Sequence, residues 1–307
     1  MSPAAPTTEA AKAALPLADC LLTAEGVLTL RLRPAADGAP GEPAEPRLLL
    51  VLRPRKGEPE SVTHTLALER DGTHWRAELG PEPVLREGRW DVYAVTGAAR
   101  ERQRVLAGLR DLRAPAGHEL PPPHARGPFA LRLPYDTKDG YLAIRAWVRP
   151  AHAEVDRIEV AESAMTVTGR LVGATPGPGA AALLRRRGKG GPVRQLALRE
   201  EGAGGFSFTA DYGLLVEDSA PSGTAHPGDP GDPTGPAAPD RAAAGAPVFW
   251  DVYLRPAADA PRIRAGRLFD DVAGRKPVFV YPERAVGPCT VQPYYTVDND
   301  LSLRVTG

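Results

Sequence analysis

A tetrapeptide, Trp90-Asp91-Val92-Tyr93, returns 160 positions later (250 − 90) as Trp250-Asp251-Val252-Tyr253. Other markers return in the same order around it. Leu66-Ala67-Leu68 reappears as Leu196-Ala197-Leu198, and Arg55-Lys56-Gly57 has a looser counterpart in Arg187-Gly188-Lys189-Gly190. Ordered markers of this kind mean one supersecondary plan used more than once. A second motif occurs three times: Thr23-Ala24-Glu25-Gly26-Val27-Leu28, Thr137-Lys138-Asp139-Gly140-Tyr141-Leu142 and Thr296-Val297-Asp298-Asn299-Asp300-Leu301. An acidic residue followed by Gly or Asn suits a tight turn, because the second position tolerates positive φ. A strand pattern follows each turn. Leu28, Leu30 and Leu32 alternate with Thr29, Arg31 and Arg33, and Leu142, Ile144, Ala146 and Val148 repeat the alternation.

The chain has 34 Pro and 32 Gly among 307 residues, which favours short strands and many turns. No long segment has the helical period. The expected fold is all-β, with two related antiparallel β-sandwich (immunoglobulin-like) modules in tandem. The reading places a disordered tail at 1–19, the first module at 20–113, a Pro-rich linker at 114–128 and the second module at 129–307. It adds a disordered loop at 218–246, a smaller insert at 35–46 and an extra strand pair at 157–160 and 165–171 in the second module. A two-residue hairpin at Asp71-Gly72 would set Arg70 opposite Thr73 and Leu68 opposite Trp75, with His64 and His74 on opposite faces. The 137–145 copy of the turn-strand motif is read as closing or bridging the first module, with the pairing left open.

Lys plus Arg and Asp plus Glu both total 38, so the formal charge is zero and a duplex nucleic acid is not the expected partner. Cys20 and Cys289 stand alone, which excludes a disulfide framework and a cysteine zinc site. Asp19 before Cys20 argues against lipoprotein processing, and the longest apolar run, Leu48 to Leu52, is too short to span a bilayer. The protein is read as cytoplasmic.

No nucleophile elbow, phosphate loop or dinucleotide fingerprint occurs. The scattered histidines do not form a metal set. Asp298-Asn299-Asp300 has the look of a metal-binding Asp-x-Asp, yet the same positions hold Asp139-Gly140-Tyr141 and Glu25-Gly26-Val27 in the other copies, as a turn demands. Asp270-Asp271 is read as a turn as well. Trp90 and Trp250 alternate with Val and belong to the core face. Trp147 falls on the outer face of its strand beside Arg145 and Arg149, where it would stack on a sugar ring, dock a partner or sit between the modules. Arg55, Lys56, Arg187 and Lys189 mark two cationic loops at equivalent places, suited to phosphate or carboxylate groups of a polymer.

The stretches Trp250 to Arg255, Gly266 to Val272 and Pro293 to Ser302 resemble a group of actinobacterial β-rich proteins often labelled simply "transferase". They are similar to β-rich segments that accompany glycosyltransferases and polyol-phosphate polymerases of teichoic-acid-type wall polymers. The resemblance implies an accessory role and carries no catalytic residue onto this chain. The expectation is a non-catalytic binding protein with no cofactor, recognising a cell-envelope glycopolymer, its precursor or the glycosyltransferase that makes it. Two rivals stand beside it. One is a transferase using a nucleotide-activated sugar or polyol phosphate, with Mg2+ or Mn2+ held by Asp298 and Asp300. The other is a structural scaffold.

Overall fold

The computed structural model describes residues 14–33, 46–95, 101–116, 128–219 and 246–307. Residues 35–45 of the expected insert at 35–46, the tail before Ala14, linker residues 117–127 and most of the loop at 218–246 lie outside them. The described residues are mostly β-strand, and the sheets are mainly antiparallel. None of the described helices is long and apolar enough to cross a membrane. The described residues divide into two compact units, one holding those up to 116 with 128–150 and 269–273, the other those within 151–268 and 274–307.

The first unit contains β1 (Leu17–Leu22), β2 (Leu28–Arg33), β3 (Arg47–Leu52), β4 (Thr63–Ala67), β5 (Glu69–Asp71), β6 (His74–Leu79), β7 (Gly88–Val95), β8 (Gln103–Arg104), β9 (Leu106–Asp111), the short α1 (Arg113–Ala116), β10 (Phe129–Asp136) and β11 (Leu142–Arg149). One sheet runs β5-β6-β2-β1-β9 and the other β10-β11-β7-β3-β4, with β8 paired to β7. The second unit contains β12 (His152–Val160), β13 (Ala164–Val172), β14 (Ala181–Arg186), β15 (Val193–Ala197), β16 (Arg199–Glu200), β17 (Gly205–Asp211), α2 (Tyr212–Glu217), β18 (Val248–Arg255), β19 (Ile263–Gly266), β20 (Arg284–Val286), β21 (Cys289–Tyr295) and β22 (Leu301–Thr306).

The pairings of the first unit recur in the second. β14 sits between β15 and β18 as β3 sits between β4 and β7. β22 joins β18 to β21 as β11 joins β7 to β10. β13 lies between β12 and β17 as β2 lies between β1 and β6. The parallel pair β1/β9 has its counterpart in β12/β19. In the second unit β18 also bonds to β19, which merges its strands into one continuous sheet.

These pairings move three sequence expectations. β10 and β11 bond to β7, so residues 129–149 complete a sheet of the first unit rather than opening the second. The pair read as an addition at 157–171 is the counterpart of β1 and β2, not an extra. The hairpin at Asp71 is two residues out of the expected register: Asp71 faces His74, and Arg70 faces Trp75 where Thr73 was expected. Its first arm is also shorter than expected. Leu68 breaks the run, so β4 bonds to β3 in one sheet while β5 bonds to β6 in the other. Leu198 makes the same break between β15 and β16. Alternation assigns faces along a strand, but it cannot show where a strand changes sheets.

The core side of the reading holds. Leu28, Leu30 and Leu32 are fully buried, as are Val92, Ala94, Val252 and Leu254 around the equally buried Trp90 and Trp250. Burying each of these large side chains contributes roughly 1.5–3 kcal/mol. Each indole N–H is satisfied locally, Trp90 by the Arg86 carbonyl at 3.0 Å and Trp250 by the Ser219 hydroxyl at 3.2 Å. The turn motif is one structure three times over. The threonine N–H bonds to the carbonyl four residues on, and the fourth residue's N–H returns to the threonine carbonyl. The fourth residues, Gly26, Gly140 and Asn299, have φ of 81°, 79° and 63°. The first copy joins β1 to β2, whereas the other two join the equivalent pairs β10/β11 and β21/β22.

Candidate functional site

Strand β7 carries Asp91 and Tyr93 on the face opposite Trp90, and β18 carries Asp251 and Tyr253 likewise. Register fixes what surrounds them. Leu52 pairs with Trp90, and Arg186 pairs with Trp250, so Arg53 and Arg187 are equivalent, as are Arg55 and Lys189. Arg53 forks onto Asp91 at 2.6 Å and 3.0 Å. Arg187 reaches Asp251 at 2.7 Å, bonds to the Ser302 hydroxyl and stacks over the Phe249 ring at 5.3 Å.

A second guanidinium closes each carboxylate from the other side. Arg104 pairs with Tyr93 across the strands and lies 3.1 Å from Asp91. Arg264 pairs with Tyr253 and lies 2.7 Å from Asp251. Burial works to raise the Asp251 carboxyl, but the bond from Arg187 and the charges of Arg264 and Arg187 outweigh it and hold it below the usual range. Ser302, opposite Asp251 on β22, donates to the same carboxylate at 3.1 Å.

The tyrosine rings carry the remaining cations. Tyr93 has the Arg102 guanidinium 4.7 Å and the Arg104 guanidinium 5.2 Å from its centroid. Tyr253 has Arg262 and Arg264, both at 4.9 Å. Arg102 and Arg262 lie one residue before β8 and β19, two positions from Arg104 and Arg264, and extended backbone at that spacing brings both arginines of each pair to one ring. Sequence reasoning missed this constellation. Its signal was there: Arg102-Gln103-Arg104 returns as Arg262-Ile263-Arg264 at the same 160-residue offset (262 − 102) as the tryptophan motif.

The sequence candidates separate into groups. Arg55, Lys56 and Lys189 are exposed in the β3–β4 and β14–β15 connections, and none forms an ion pair among the described residues. Arg187 sits in the same connection but is engaged by Asp251. Trp147 is not a surface platform: it is 1% exposed, and Arg145 lies 5.4 Å from its ring. Arg149 is mostly covered and faces Glu87 at 3.5 Å. The alternation placed Trp147 on the outer face correctly in phase, but β11 is buried on both faces over much of its length.

The acidic candidates serve turns. Asp298 and Asp300 both bond through their N–H to the Thr296 hydroxyl, and Asp300 also lies 3.5 Å from Arg264. Asp270 is buried and accepts the Val272 N–H. No group of three His, Cys, Asp or Glu side chains able to hold a metal occurs among the described residues. Burial pushes the Cys20 thiol up to about 12, which leaves it unreactive at neutral pH.

No family model matches the chain, and no curated protein matches it. Among solved structures it is similar to S. aureus TarS, at 14% identity and a TM-score of 0.28, over 63% of this chain and 34% of that one. A fragment of the same protein is similar at 15% identity and a TM-score of 0.28, over 62% and 54%. The chain thus spans about a third of the one and about half of the other.

Proposed function

We propose that the protein is a non-catalytic binding protein for an anionic glycopolymer of the cell envelope, built from two copies of one immunoglobulin-like sandwich module. The observation that carries the reading is the state of the two cationic connections. In each, the arginine nearest the sheet is neutralised by the repeated aspartate. The cations beyond it, Arg55 and Lys56 in one unit and Lys189 in the other, remain exposed without a carboxylate partner among the described residues. A cation held out on a turn from a rigid sheet suits a ligand that carries many separated negative charges. The resemblance of residues 250–305 to segments that accompany wall-polymer enzymes supports the polymer class.

Two weak contacts on one chain gain from each other when one polymer spans both, so loss of either should cost more than its own affinity. The test is equilibrium binding to a purified polyol-phosphate wall polymer at two salt concentrations. Replacing Arg55, Lys56 and Lys189 by alanine should remove measurable binding. Wild-type affinity and salt dependence in the triple variant would end this reading.

A further inference from the structure

The two tyrosine–arginine clusters differ in what meets the outer arginine. In the first unit the Arg102 guanidinium is gripped by Glu60, at 2.6 Å and 3.3 Å from its two carboxylate oxygens. Glu60 belongs to the β3–β4 connection, residues 53–62. In the second unit the equivalent connection is residues 187–192, Arg-Gly-Lys-Gly-Gly-Pro, which is shorter and has no acid. Arg262, the counterpart of Arg102, is exposed, stacked against Tyr253, and has no carboxylate partner among the described residues. The cluster's own acid cannot serve it, because Asp251 already holds Arg187 and Arg264.

We propose that Arg262 and Tyr253 form an oxyanion-binding site, and that the matching site at Arg102 and Tyr93 is closed by the chain's own Glu60. The first unit displays the occupied form: a carboxylate set against both terminal nitrogens of a ring-stacked guanidinium. The second unit offers the same donors to an external group. A guanidinium held over a ring has already lost part of its freedom, so less is lost when a carboxylate or phosphate docks there. Glu60 is tethered beside Arg102 at an effective concentration in the millimolar range or above, enough to exclude a weak free anion. The acceptor chemistry is shared by a uronate carboxylate and by a sugar or polyol phosphate.

This site does not rest on the polymer reading, since its residues are not those of the exposed turn cations. The experiment is an NMR titration of the full chain, labelled with 15N at arginine, with sodium phosphate and with sodium glucuronate at constant ionic strength. Arg262→Ala assigns the Arg262 Nε–H signal. That signal should shift and saturate, while Arg102 stays still. Saturation by phosphate alone names a phosphate-bearing ligand; saturation by glucuronate names a carboxylate-bearing one. In Glu60→Gln the Arg102 signal should begin to titrate as well. A shift of Arg262 that rises linearly without saturating, or an Arg102 signal that stays still in Glu60→Gln, overturns the proposal. Loss of polymer binding in the Arg55, Lys56 and Lys189 triple variant with Arg262 titration intact would separate the two readings.

Discussion

Around the repeated tyrosine of the first unit, every arginine meets a carboxylate: Arg53 and Arg104 meet Asp91, and Arg102 meets Glu60. Around that of the second, Arg187 and Arg264 meet Asp251 while Arg262 meets none among the described residues. The strand register is the same in both. The difference comes from a long connection at 53–62, which carries Glu60, set against a shorter, acid-free one at 187–192. The two units, whose strand pairings match, therefore differ in a loop between two strands. The half-buried aspartate has two cationic partners in both units, which offset its partial desolvation.

The largest effect should come from the tryptophans. Trp90→Ala and Trp250→Ala should each cost about 3–5 kcal/mol, seen as a lower urea midpoint. A much smaller cost in one unit would break the equivalence of the two cores. Next come two glycines against the first strands of the units. A Cβ at Gly169 would lie 2.1 Å from the Glu154 carbonyl oxygen, which is backbone and cannot swing away. A Cβ at Gly108 would lie 2.1 Å from an Asp19 side-chain oxygen, which can move, although the Ala18 carbonyl follows at 2.9 Å. Both alanine variants should lose stability by about 1–3 kcal/mol, with Gly169→Ala the worse in thermal melts.

Asp251→Asn should cost about 1–3 kcal/mol by leaving Arg187 and Arg264 without their carboxylate. Its pH dependence has a definite sign. The folded carboxyl lies below its unfolded value, so its contribution is complete above the unfolded pKa of about 3.9 and is lost as pH falls through the lower folded value. Melts between pH 5 and acid should therefore be less steep in Asp251→Asn than in the parent chain. Equal slopes would show that the network adds no acid-sensitive stability. The smallest effect should be that of Arg55→Ala, Lys56→Ala and Lys189→Ala on folding, each within about 0.5 kcal/mol, because exposed turn cations touch nothing that must be kept. A larger loss would mean that these residues belong to the framework.

Much of the framework was legible in the chain. Repeated Leu, Val and Trp alternation marked the strands that are buried, and the repeated Thr-to-Gly/Asn turn was read as a turn in all three copies. It also favoured a turn over a metal pair at Asp298 and Asp300, which stayed metal holders only in the transferase rival, since a repeat in which the third position is Val, Tyr or Asp keeps the bend and not the charge. Other features were not legible. Trp147 had the phase of an outer-face residue, and phase carries no information on what lies above that face. Arg187 had the composition of a free loop cation, and only the register against β18 shows that it sits where Arg53 sits.

The sequence by itself determined the class of structure, the turns and the side chains that leave water, because strand period, positive φ and hydrophobic burial are local properties written in successive residues. The tertiary structure alone decided which strands belong to which unit, where β4 gives way to β5 between sheets, and which arginine finds a carboxylate. Those depend on partners dozens of residues away: Asp91 lies 38 positions from Arg53, and Glu60 lies 42 from Arg102. A pairing over that distance is set by how the sheets are assembled, and no local pattern encodes it.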